Sequence, residues 1–189
     1  LDKSRKKKIA QSSLDDQQAY ALPETQKMLE YINQYEIRFP KSNNTPQVLF
    51  LAGNLHYMAK VNDKAIAAFK SITEKYPKSD IASKSFKMIA KSYLSAGDYD
   101  LALAKYKELL GRTDPKSPDY AEIIDLSAAA VYSKAESMQK AGNYMGAADV
   151  YKSIFTQFPK SQVVDRGWFE AAVCYEQGNN LELAATTFE

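Results

Sequence analysis

"SDIASKSFKMIAKSYLSAGDYDLALAKYKELLG" occupies residues 79–111 and decides the fold class. Ile81, Phe86, Ile89, Ala90, Tyr93 and Leu94 recur at spacings of three and four, one stripe of an amphipathic helix. "SAGDYD" interrupts that stripe. Gly97 can take the positive φ of a helix C-cap, and Asp98 can cap the helix that follows. A second stripe then runs through Leu101, Ala102, Tyr106, Leu109 and Leu110. The stretch therefore predicts a helical hairpin.

Outward from it, the same corner recurs. Residues 39–42 read "FPKS", 76–79 "YPKS", 114–117 "DPKS" and 158–161 "FPKS", which uses four of the seven prolines. Pro40, Pro77, Pro115 and Pro159 are 37, 38 and 44 residues apart, a period typical of repeat architectures. Proline lacks an amide hydrogen and disfavours helix in the residue before it, so it ends one helix. The serine is expected to cap the next with its hydroxyl. Ser117-Pro118 and Thr45-Pro46 add proline at a helix start.

Four columns test the repeat independently of proline. Ala65, Ala102, Ala147 and Ala184 each precede by four residues an aromatic: Phe69, Tyr106, Tyr151 and Phe188. Sixteen residues before those aromatics stand Gly53, Ala90, Ala135 and Ala172, and four before these Leu49, Phe86, Val131 and Trp168. Small residues where helices cross, with an aromatic one turn on, suit close hairpin packing. The chain resembles the tetratricopeptide repeat family in this pattern, as in Phe86, Ala90, Tyr93, Ala102, Tyr106, Pro115 and in Val131, Ala135, Met138, Ala147, Tyr151, Pro159. Its periods exceed the family's ~34 residues, and the turn of the fourth copy is expected to slip by one residue. The resemblance implies an all-α, right-handed superhelical solenoid of antiparallel hairpins. Residues 41–189 form the array of about four hairpins, the last truncated. Residues 23–40 read as the second helix of an incomplete first hairpin, and 1–22 as a basic segment, helical or flexible.

The aromatic-Pro-x-Ser ending is similar to bacterial envelope repeats of the β-barrel assembly lipoprotein or Tol–Pal partner type. That resemblance implies a periplasmic or outer-membrane-associated adaptor, with a cytoplasmic location as the alternative and room for a lipid anchor upstream.

Composition narrows the classes further. Hydrophobic residues make up 45% of 189, enough for a buried core and against disorder. No run approaches the ~18 apolar residues of a membrane helix. A single cysteine, Cys174, excludes an internal disulfide framework and a multi-cysteine metal site. The net charge of +2 hides a basic tip, "LDKSRKKK" at 1–8, which reads as a solvated end more than as a nucleic-acid or lipid contact. Nucleic acid and a small-molecule substrate are not expected. The chain opens on Leu1 and closes at Phe188-Glu189 within a second helix, so the reading is of a processed or trimmed piece of a longer array.

Catalysis finds no convergent groups. His56 stands in the column of Tyr93 and Tyr175, with no second histidine or acid in its register, and reads as a packing residue. Cys174, between Val173 and Tyr175, reads as a buried inert thiol. There is no glycine-rich phosphate loop and no metal-ligand spacing, so no cofactor is predicted. The acids Asp15-Asp16 and Asp98–Asp100 fall at helix starts, where caps and dipoles account for them.

A stacked array offers a surface lined by the first helix of each hairpin, suited to a peptide or helix from a partner protein. The columns place Phe50, Asn54 and Tyr57 there, then Lys84, Lys87 and Lys91, then Tyr132 and Glu136, then Phe169 and Val173. The three lysines share one helical face and suit an acidic segment, or are an ordinary solvated face. The carboxylate clamp of chaperone-binding repeats is missing: Asn54 fits it, but Phe50, Met88, Ala129 and Ser133 do not. The third copy is eight residues longer, which predicts one long helix from Ser117 to Gly142. Its first turns, around Tyr120, Ile123 and Ile124, either meet a partner or pack on the preceding hairpin, the latter being favoured. A non-catalytic scaffold is the leading reading, and an accessory domain of a longer enzyme the alternative.

Overall fold

The computed structural model describes residues 15–188, the side chain of Phe188 excepted. The basic cluster Lys3–Lys8 lies outside the described residues. Ten helices and no strand are found among those described: α1 (Asp16–Ala21), α2 (Pro23–Arg38), α3 (Thr45–Met58), α4 (Asn62–Lys75), α5 (Asp80–Ala96), α6 (Tyr99–Leu110), α7 (Pro118–Lys140), α8 (Tyr144–Gln157), α9 (Val164–Gln177) and α10 (Leu181–Phe188). The protein is an all-α helical repeat.

The chain divides into two compact units, one ending at Ala96 and the other starting at Gly97. In unit one, α1 is short and capped by Asp15, whose carboxylate accepts from the Gln18 amide at 2.7 Å while the Gln18 side chain reaches back. It packs on α2 and α3; α3 packs on α4, and α4 on α5. Their shared core holds Leu29, Ile32, Leu49, Phe69, Ile72 and Ile89. In unit two, α6 packs on α7, α7 on α8, α8 on α9 and α9 on α10 around Val131, Ala147, Tyr151, Ile154 and Tyr175. The second period is thus shared out: α5 contributes Ile89 to the first core, and Leu103 of α6 packs on the second.

Ala65, Phe69, Ala135, Ala147 and Tyr151 of the repeat columns belong to these cores. Ala65, Ala102 and Ala147 are wholly buried, as are Ala90, Ala135 and Ala172, with Phe69, Tyr106 and Tyr151 beside them. Three buried serines of the helices use a local acceptor. Ser85, Ser92 and Ser127 are buried and donate to the carbonyls of Ile81, Met88 and Ile123, four residues back.

The turns inside the hairpins keep one register. Positive φ occurs at Lys60 (58°), Gly97 (85°), Gly142 (80°) and Asn179 (57°), spaced 37, 45 and 37 residues like the alanines. The expected slip in the fourth copy is therefore absent. Gly178 keeps φ −79°, and Asn179, whose side chain tolerates the left-handed region, makes the turn. Three of these turns close in the same way, Val61, Asn143 and Asn180 amides donating to the His56, Met138 and Tyr175 carbonyls at 2.8–2.9 Å.

The Pro-Lys-Ser corners are equally regular. Phe39, Tyr76 and Phe158 end their helices at φ/ψ of −129/51°, −129/50° and −135/56°. In all four corners the serine amide donates to the carbonyl three residues back, at 2.9–3.1 Å, the bond of a β-turn with proline second. The expectation that each serine caps the next helix holds only at Ser117, which accepts from the Tyr120 amide at 3.3 Å. Ser42 and Ser161 instead accept from amides two residues on, and α3 and α9 begin later. Two turn residues between serine and helix take Ser42 and Ser161 out of capping reach, whereas Ser79 directly precedes α5 and its hydroxyl is unbonded.

Helix α7 spans 23 residues from that cap. Ile123 is 1% exposed. Tyr120 and Ile124, expected to face the preceding hairpin, line a cleft with Phe158 and Pro159 of the corner that follows.

Candidate protein-binding faces

The first helices bring the predicted residues together separately in each unit. In unit one α3 and α5 pack side by side. Phe50 and Tyr57 lean on the core, the Phe50 ring centroid lying 5.3 Å from that of Phe69. The exposed ridge of α3 is instead Gln47, Leu51 and Met58, with Asn54 half-buried along it. Leu51 and Met58 escaped the sequence reading because repeat columns record position and not how far a large ring turns inward. On α5, Lys84 is exposed while Lys87 and Lys91 are half-buried. Lys70 of α4 sits 5.8 Å from the Tyr93 ring of α5.

In unit two, α7 and α9 carry a lattice of satisfied polar groups. The Tyr132 hydroxyl donates to Glu170 at 3.4 Å, and the Arg166 guanidinium lies 4.8 Å over its ring. Tyr132 meets Tyr151 edge to face at 4.9 Å, Tyr151 donates to Gln139, and Gln139 donates to Gln177 at 3.0 Å. Glu136 pairs with Lys140 at 3.2 Å. Burial first, and then the Glu170 charge, hold the Tyr132 hydroxyl above its ordinary pKa. Beside this fixed lattice Phe169 is 57% exposed and Val173 half-buried. Arg166 and Glu170 had no motif to announce them; only α9 beside α7 gives them a role.

The reactive candidates are accounted for by packing. His56 accepts or donates one hydrogen bond, Nδ1 to the Tyr20 hydroxyl at 2.9 Å, and the rings meet edge-on. Burial, and then Lys64, lower its pKa. Cys174 is wholly buried, and burial followed by the Glu170 charge pushes its thiol up to about 11. Asp98 occupies an N-cap without a side-chain bond, whereas Asp100 pairs with Lys134 of α7 at 2.7 Å. Among the described residues no group of three or more His, Cys, Asp or Glu can hold a metal ion, and no helix is long and apolar enough to cross a membrane.

With the fold and faces in view, comparison with known families finds one model that matches, YfiO, described as an outer membrane lipoprotein, over residues 42–162. The chain belongs to the YfiO family of outer membrane lipoproteins. The matched stretch runs from Ser42 of the first corner to the residue after Ser161 of the fourth, so it takes in both faces' α3, α5 and α7 and ends before α9. Comparison with the curated proteins finds no match. YfiO membership associates the chain with the bacterial envelope and with protein partners there, in keeping with the envelope-type corner that the sequence carries.

Proposed function

We propose that this protein is a non-catalytic adaptor on the periplasmic side of the outer membrane, holding segments of partner proteins against its first-helix faces. The single observation that carries the reading is Phe169: a large aromatic side chain 57% exposed beside a face whose polar groups are otherwise bonded to one another. Fixed polar surroundings lower the entropy lost on docking, and an exposed aromatic supplies the apolar area that anchors an interface. The face of unit one suits a different segment, because α5 carries Lys84, Lys87 and Lys91 and the α3 packed on it carries the exposed Leu51 and Met58.

Site-specific photo-crosslinking in the native bacterium tests this. A photoreactive residue at position 169 or 84 should give discrete adducts with envelope proteins. The same residue at Thr156, exposed on α8, or at Lys107 on α6 should give none. Adducts from 156 and 107 alone would move the interface to the second helices and overturn the reading.

A further inference from the structure

Consecutive Pro-Lys-Ser corners meet in both units, and the two meetings differ in a way that points to a ligand. In unit two the Ser161 hydroxyl donates to the Asp125 carboxylate at 2.8 Å, and the Gln162 amide donates to the same oxygen at 3.1 Å. Asp125 stands ten residues before Ala135 in the repeat columns. The residue ten before Gly53 is Asn43, and it precedes Ser79 by the same 36 residues that separate Asp125 from Ser161. Unit one thus has the serine without the carboxylate. There the Ser79 hydroxyl is buried and has no hydrogen-bond partner.

Around that serine lies a cleft of about 660 Å³, lined by both corners of unit one and containing Asn43 and Ser79. Lys75 on its rim is held by Glu36 at 2.7 Å. Lys41 and Lys78, both exposed, have no acidic partner among the described residues. The one acid of the lining is Asp80, exposed in the first turn of α5. The walls are Pro40, Pro77 and Tyr76, whose hydroxyl ties the corners together through the Pro40 carbonyl at 3.0 Å.

We propose that this cleft binds an acidic segment of a partner polypeptide, one carboxylate of which accepts from Ser79 as Asp125 accepts from Ser161 while Lys41 and Lys78 neutralise its charge. The site lies at the corners and adjoins the α3 face only through Gln47, which lines the cleft. A concave floor between rigid proline walls fits an extended chain, whereas a membrane surface meets only protruding lysines.

The test uses fluorescein-labelled hexaglutamate, with hexaglutamine as control, in anisotropy titrations of the full chain at low salt. Hexaglutamate alone should bind, and the protein amide shifts it causes should centre on residues 41–43, 76 and 78–80. Lys41→Glu/Lys78→Glu should weaken it by about tenfold or more. Asn43→Asp should weaken it similarly, because it supplies the missing carboxylate from within. Lys107→Glu/Lys116→Glu, the same charge change at exposed positions of unit two, should leave it unchanged, and circular dichroism checks that each variant is folded. No binding by the folded parent, shifts elsewhere, or undiminished affinity in Asn43→Asp would each overturn the proposal. So would binding to phosphatidylglycerol vesicles without binding to the peptide.

Discussion

Gly53 of α3 and Phe69 of α4 are packed so closely that a Cβ on Gly53 would lie 2.5 Å from Cε1 of the ring. The ring is wholly buried and bounded by Phe50 at 5.3 Å between centroids, so it cannot simply swing aside. The other copies hold alanine at the position of Gly53, in α5, α7 and α9. In the first copy the Phe69 ring occupies the space that a Cβ at this position would need, and glycine is what allows it.

Gly53→Ala should therefore destabilise the protein. The helix gains up to ~1 kcal/mol of propensity from alanine, but overpacking a filled core costs ~1–3 kcal/mol. A net loss of about 1 kcal/mol or more is expected in urea unfolding, partly restored by Phe69→Leu in the same chain. A stabilised single variant would mean that the ring yields freely.

Lys60 stands where two other turns place glycine, at φ 58°. Lys60→Gly should stabilise by about 1 kcal/mol, because a Cβ in the left-handed region is strained. Gly142→Ala should cost a similar amount, and the cost is conformational alone since nothing lies within 4 Å of the added carbon. Equal stabilities across the set would remove the argument from backbone strain.

His56 makes stability depend on pH in a defined direction. Its folded pKa lies below 6.5 through burial and then Lys64, so the unfolded chain takes up the proton first. The contribution is complete above pH 6.5 and is lost as pH falls from 6.5 through the folded pKa. Imidazole resonances should titrate below 6.5, and His56→Gln should flatten the slope in that window. A midpoint above 6.5 would reverse the sign and refute the packing account.

Cys174 should resist thiol reagents at pH 8 in the folded protein and react promptly in denaturant. Its thiol is wholly buried with a pKa pushed up to about 11, so the thiolate is scarce as well as hidden. Rapid labelling without denaturant would show that α9 opens locally.

Local chemistry made much of this protein legible from residues alone. A proline cannot donate to a helix and an aromatic-proline pair cannot stay helical, so the corners at Pro40, Pro77 and Pro159 read directly. Helical period and the alanine and aromatic columns likewise located the buried faces, since a residue's side of a helix depends only on its neighbours along the chain. Even the 23-residue length of α7 followed from the Ser117 cap and Gly142.

What the chain alone left open depends on residues brought together from neighbouring repeats. The left-handed turns at Lys60 and Asn179 are imposed by helix pairs that must reverse within a set length, whatever residue stands there. Arg166 over Tyr132, and Ser161 on Asp125, join residues more than thirty positions apart, and no local preference encodes such pairs. The inward lean of Phe50 rests on the Phe69 ring of the next helix, 5.3 Å away between centroids, and not on its neighbours along the chain. Sequence determined where helices begin, end and bury a face, because those are properties of adjacent residues. Tertiary structure alone decided which side chains remain available to a partner, because exposure is what packing leaves uncovered.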